Sequence, residues 1–173
     1  MSDGTERSWN SRLYLGGAVA EPVLNAESII KGLRGEFCRD ASRYELLQFA
    51  ATKIREAGPP YTSVYMYMLE RDSDVLSLKA FDGRETEHTE IPIGKGLCGK
   101  AITTNSDLNI ADVKAEPDYL ACNLETRSEL IVLIRRNQEI LGQIDIDSDV
   151  PNGFDEEEEK ALRRVADAIA TLM

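Results

Sequence analysis

"SELIVLIRRNQEILGQIDID", Ser128 to Asp147, holds two strand-like runs, SELIVLIR and EILGQIDID, on either side of Asn137 and Gln138. Both runs are rich in β-branched residues and the pair between them suits a turn, so the stretch predicts an antiparallel hairpin. Strand alternation puts Leu141, Gln143, Asp145 and Asp147 on one face, toward a pocket, and Ile140, Ile144 and Ile146 on the other. The place of Glu129 depends on the turn. A simple two-residue turn pairs Arg136 with Glu139 and sets Glu129 opposite Ile146, away from Asp145. A bulge or a three-residue loop shifts the pairing by one and brings Glu129 over Asp145.

A second hairpin is predicted upstream, over residues 61 to 81. In YTSVYMYML, Val64, Met66 and Met68 share one face, and Tyr61, Tyr65, Tyr67 and Leu69 the other. RDSD (71–74) supplies turn residues, and VLSLKAF alternates again through Leu76, Leu78 and Ala80. Helices bracket the two hairpins. DASRYELLQFAATKIREAG carries Leu46, Leu47, Ala50 and Ile54 at helical spacing, with Ser42 and Glu45 placed as a capping box and Gly58 as a stop. The last segment has an apolar stripe of Leu162, Val165, Ala166, Ile169 and Met173. The acids Asp155 to Glu159 at its start suit the positive end of the helix dipole as a solvated helix start. Residues 1–36 read as a partly helical, loosely structured N-terminal extension, with a short helix in NAESIIKGL, and 37–173 as one domain. The order is helix, hairpin, irregular middle, hairpin, helix. Without alternating strand and helix units, this is an α+β layout: an antiparallel sheet with helices on one face.

Composition narrows the function. The 173 residues carry a net charge of −11, which makes nucleic acid or an anionic membrane a poor partner. No run approaches the ~18 apolar residues of a membrane span, and no secretory h-region opens the chain, so a cytoplasmic location is expected. Three widely spaced cysteines, Cys38, Cys98 and Cys122, and a single histidine fit neither a disulfide framework nor a usual zinc pattern. No metal and no cofactor is assigned.

IPIGKGLCGKA (91–101) contains Gly94, Gly96 and Gly99 in the spacing G-x-G-x-x-G. A dinucleotide fingerprint needs a buried parallel strand before the first glycine and a βαβ unit around it. Pro92 demotes the preceding stretch to an edge strand or loop, and Lys100 does not make a phosphate-loop ending. The glycines are read instead as tight turns opening a short helix through GLCGKAITTN.

The Gly-x-x-Gly turn, DVKAEPDY, TRSEL, LGQIDIDSD and the FDEEE helix start together resemble a GAF domain. The resemblance implies a PAS-like central antiparallel sheet of about six strands, with terminal helices on one face that often mediate dimerisation. A ligand pocket lies on the other face under the irregular middle, and Tyr61 and Tyr65 are placed to line it. Within the family the motifs are most similar to stand-alone free methionine-(R)-sulfoxide reductases. That resemblance implies Cys98, Cys122, Glu129, Asp145 and Asp147 as site residues, with Cys122 as nucleophile and Cys98 as resolving thiol. His88 stands where that group has a third cysteine, and Tyr61 where a tryptophan is often found.

The implied chemistry is coherent. A thiolate attacks the sulfoxide sulfur, a neighbouring acid protonates the departing oxygen, and a second thiol resolves the sulfenic acid as a disulfide. Clustered carboxylates suit the acid role because mutual repulsion raises the pKa of one, and they suit the ammonium group of a free amino acid. The same residues also read plainly. Glu129, Asp145 and Asp147 make a buried, hydrogen-bonded acid network, Cys98 a small core residue, Cys38 an inert thiol and His88 a surface strand residue. The main reading is therefore a cytoplasmic small-molecule or redox sensor without its own output domain, binding a free amino acid or its sulfoxide as a homodimer. The thiol-dependent reductase is the alternative.

Overall fold

The computed structural model describes residues 23–70, 73–117, 119–120 and 123–173. Residues 1–22 of the expected extension, the first half of the RDSD turn and Cys122 lie outside the described residues. Six strands form one sheet: β1 (Ser63–Leu69), β2 (Val75–Asp82), β3 (Glu90–Pro92), β4 (Leu108–Ile110), β5 (Ser128–Arg136) and β6 (Glu139–Ser148). Their order is β3-β2-β1-β6-β5-β4, and every neighbouring pair is antiparallel. The fold is α+β.

Helices α1 (Ala26–Phe37), α2 (Arg43–Arg55) and α4 (Glu156–Leu172) cover one face. Helix α2 begins with the expected reciprocal box: Glu45 donates its backbone N–H to Ser42 Oγ at 3.3 Å, and Ser42 N–H reaches Glu45 Oε2 at 2.7 Å. Such a cap stabilises by about 1 kcal/mol. Helix α4 lies over β5 and buries Leu162, Val165, Ala166 and Ile169. Burying each of the large aliphatic side chains contributes about 1.5–3 kcal/mol. Helix α1 packs against α4 and α2 with Ile29, Ile30 and Leu33 in the same core, so the described part of the N-terminal segment is built into the helical layer.

Two bulges correct the expected alternation. In β2, Met66 pairs with Ala80 but Tyr67 with Leu78, so Lys79 is the extra residue. Ala80 therefore joins the helix-side core while Leu76, Leu78 and Phe81 stay on the opposite face. In β6, Ile134 pairs with Gly142 but Arg135 with Ile140, which makes Leu141 the extra residue. Leu141 turns toward the helices and Ile140 toward the other face, the reverse of a strict period-two reading.

One acid at the start of α4 also departs from expectation. Asp155 caps the helix, accepting from Glu157 and Glu158 N–H at 3.0 and 2.9 Å. Glu158, however, is buried and not solvated. It accepts hydrogen bonds from Val23 N–H, Leu24 N–H and the Tyr61 hydroxyl. No helix among the described residues is long and apolar enough to cross a membrane.

Candidate active site

The face of the sheet away from α1, α2 and α4 carries a second core under α3 (Gly96–Thr104). Gly94 and Gly96 have φ of +84° and +62°, which turn the chain sharply from edge strand β3 into the helix. A Cβ on Gly99 would lie 2.7 Å from Gly94 N and Pro92 O, so only glycine lets the helix settle on that turn. The G-x-G-x-x-G spacing is thus a packing device following an antiparallel edge strand. It presents Cys98 downward onto the sheet.

There Cys98 meets the acids. Its Sγ donates to Asp145 Oδ2 at 3.2 Å, and ligand atoms of Cys98, Glu129 and Asp145 lie within 4.8 Å of one another. Glu129 stands directly opposite Asp147 on the β5–β6 ladder, with Asp145 its diagonal neighbour. The bulge at Leu141 does bring Glu129 onto the acid face, but over Asp147 and not over Asp145. The hairpin keeps its two-residue turn, pairing Arg136 with Glu139, and gains the shift further along. All four groups are at most 5% exposed.

Burial sets their protonation. It pushes Glu129 well above the usual carboxylate range, and the charges of Asp145 and Asp147 push the same way. Asp147 rises to about 8, first through burial and then through the charge of Asp145, while Thr126 and Arg84 pull it back. Asp145 rises only to about 6, because hydrogen bonds with Cys98 and Glu129 oppose its burial. Mutual repulsion, the cause expected from sequence, comes second to loss of water.

Asp145 Oδ1, Asp147 Oδ2 and both polar atoms of the Gln143 side chain are buried without a hydrogen-bond partner among the described residues. Gln143 was not among the candidate residues, although its position two before Asp145 already put it on the acid face. A small cavity of about 10 Å³, room for roughly one water molecule, lies here between Ile91, Lys95, Gly96, Cys98, Leu120 and Glu129.

The two tyrosines separate. Tyr65 lies on the acid face, stacked on Phe81 with its hydroxyl donating to Arg84 O at 3.0 Å. Tyr61 does not line the cavity. It precedes β1 and so escapes the strand alternation, packing on Phe154 in the helix-side core with its hydroxyl on Glu158. His88 is half-buried in the β2–β3 connection, not on a strand, and its carbonyl accepts from the Tyr67 hydroxyl at 2.7 Å. Cys38 is the exposed C-cap of α1 on the helical layer. Arg84 ties the rim, holding Asp149 through two 2.6 Å contacts and Glu125 at 2.8 Å.

The sequence and the fold have relatives. Residues 43–173 match the GAF domain. The chain is 37% identical to protein YtsP of Bacillus subtilis over 75% of its own length and 74% of that protein. It is 35% identical to the free methionine-R-sulfoxide reductase of Escherichia coli over 72% of its length and 70% of that enzyme. The structure of a type II free methionine-R-sulfoxide reductase from Thermoplasma acidophilum superposes with a TM-score of 0.70 at 38% identity, covering 83% of this chain and 94% of that one. The family model spans most of the chain, and the fold and the extent of these matches agree with it: the chain belongs to the GAF domain family.

Proposed function

We propose that the chain is a thiol-dependent free methionine-(R)-sulfoxide reductase. The observation that carries the reading is the contact of the Cys98 thiol with Asp145 inside a buried cluster with Glu129 and Asp147, where burial raises the pKa of both acids. A pocket alone serves a sensor, the reading that sequence put first. Acids able to give a proton beside a thiol placed to resolve a sulfenic acid are what sulfoxide reduction needs, and relatives bearing the reductase name favour it further.

In this reading Asp145 and its neighbours hold the ammonium group of the free amino acid. The Cys122 thiolate attacks the sulfoxide sulfur, and Glu129 or Asp147 gives its proton to the departing oxygen. The S–O bond breaks, and the hydroxyl passes to the Cys122 sulfur as its bond to the substrate sulfur breaks, leaving free methionine and Cys122 as a sulfenic acid. Cys98 then displaces the hydroxyl as water, forming a disulfide, and an external thiol reductant returns both sulfurs to thiols. A cytoplasmic setting supplies such a reductant. Two copies associate through the helical layer; a monomer by light scattering at high micromolar concentration would count against that part.

The test is reduction of free methionine-(R)-sulfoxide with a dithiol reductant. Cys122→Ser should abolish it, Cys98→Ser should keep the first turnover but lose recycling, and Cys38→Ser should change little. A wild-type protein that reduces no sulfoxide yet binds a free amino acid would return the chain to the sensor reading.

A further inference from the structure

We propose that Cys98, Glu129 and Asp145 bind a divalent transition cation of the zinc class, which blocks the pocket reversibly. The three residues come from α3, β5 and β6, and all are buried. A tetrahedral zinc site with Zn–S of about 2.3 Å and Zn–O of about 2.1 Å separates sulfur from oxygen by about 3.6 Å and oxygen from oxygen by about 3.4 Å. The Sγ to Oδ2 distance is 3.2 Å and the wider separations are within 4.8 Å, so side-chain rotations of about 1 Å close the set.

A second observation points to a ligand at this place. Asp147 and Gln143 flank Asp145 on the same face of β6, are 1% and 0% exposed, and carry oxygens without a partner among the described residues. Acceptors in that position can complete or orient a cation's shell. The thiolate selects zinc, cadmium or cobalt over the oxygen-seeking magnesium and calcium. Binding exchanges the thiol and carboxyl protons, released to buffer, for one cation, and no electron moves.

The binding stands apart from the proposed reductase activity; its consequence, competition with sulfoxide, rests on that reading. The experiment adds cobalt(II) or zinc(II) to the reduced, metal-stripped full chain. Cobalt should give a near-ultraviolet thiolate-to-metal band at one equivalent, and zinc should be held against a chromophoric chelator with micromolar or tighter affinity. Cys98→Ser should remove the band, and Glu129→Gln should weaken zinc binding by about 10-fold or more. Cys38→Ser should leave both unchanged, and excess magnesium should not compete. No band on the wild type, or full zinc affinity in Cys98→Ser, overturns the site. If the band is present and metal-free protein reduces no sulfoxide, the metal site stands and the reductase reading falls.

Discussion

Glu129 stands directly across the β5–β6 ladder from Asp147, and one extra residue, Leu141, puts it there. Without that bulge the two-residue turn would pair Glu129 with Ile146 and leave its carboxyl on the opposite face from Asp145 and Asp147. With it, three carboxyls and a thiol share one dry face. The acid and thiol cluster is therefore a product of register as much as of residue identity.

Asp147 makes the cluster costly at high pH. Its proton leaves the unfolded chain near pH 4 but leaves the native protein only at about 8. Stability from this group is thus fully present below about pH 4 and is lost as pH rises through about 8. Glu129 acts in the same direction. Asp147→Asn should come nearest the wild type in thermal melts near pH 4 and exceed it by a margin that grows to on the order of a few kcal/mol near pH 9. Parallel melting curves across that range would contradict the buried, protonated state.

Glu158 fastens the helical layer. Its carboxylate receives the N–H groups of Val23 and Leu24 and the hydroxyl of Tyr61. Glu158→Ala should cost about 1–3 kcal/mol in denaturant unfolding, and Tyr61→Phe about 1 kcal/mol. Because Tyr61 lies on the far side of the sheet, Tyr61→Phe should leave the KM for sulfoxide unchanged. A raised KM would put Tyr61 back in the pocket.

The sequence made the layout legible where one physical signal acted alone. The box at Ser42 and Glu45, the stripe of α4 and the alternation of Val64, Met66 and Met68 with Tyr65 and Tyr67 along β1 each survive in the structure. What escaped were events of a single residue. The extra positions Lys79 and Leu141 leave no mark in an apolar alternation, yet they move Ala80, Ile140 and Glu129 to new faces. Glu158 looks like its three solvated neighbours because the groups it binds come from the other end of the chain. Cys98 and the acids were nameable from motif, but their contact depends on Gly99 letting α3 down, which no local pattern states.

Gly142 tests the bulge directly. A Cβ there would lie 2.2 Å from Tyr67 O, a backbone atom of the adjacent strand that cannot retreat without parting β1 from β6. Gly142→Ala should destabilise by about 1–3 kcal/mol or more through overpacking, read as a lowered denaturant midpoint. It should also lower any sulfoxide reduction, since the shift that seats Glu129 begins at this residue. Unchanged stability would mean that the two strands are looser here than their pairing indicates.

Glu129 is the strongest candidate for the acid in the proposed reaction. Burial and the charges of Asp145 and Asp147 raise its pKa well above the usual carboxylate range, and it lines the cavity beside Cys98. A glutamine keeps the shape and can hydrogen-bond to a sulfoxide oxygen, but it has no proton to give up as the S–O bond breaks. Glu129→Gln should therefore lower kcat by about 10²–10⁴-fold, the usual worth of a positioned general acid, with a much smaller change in KM. Rapid-quench measurement of the first turnover separates this from slow recycling, because protonation precedes disulfide formation. A loss of less than threefold in that first turnover would move the acid role to Asp147. In that case the rate of the Glu129→Gln variant should fall as pH rises through about 8, where Asp147 gives up its proton.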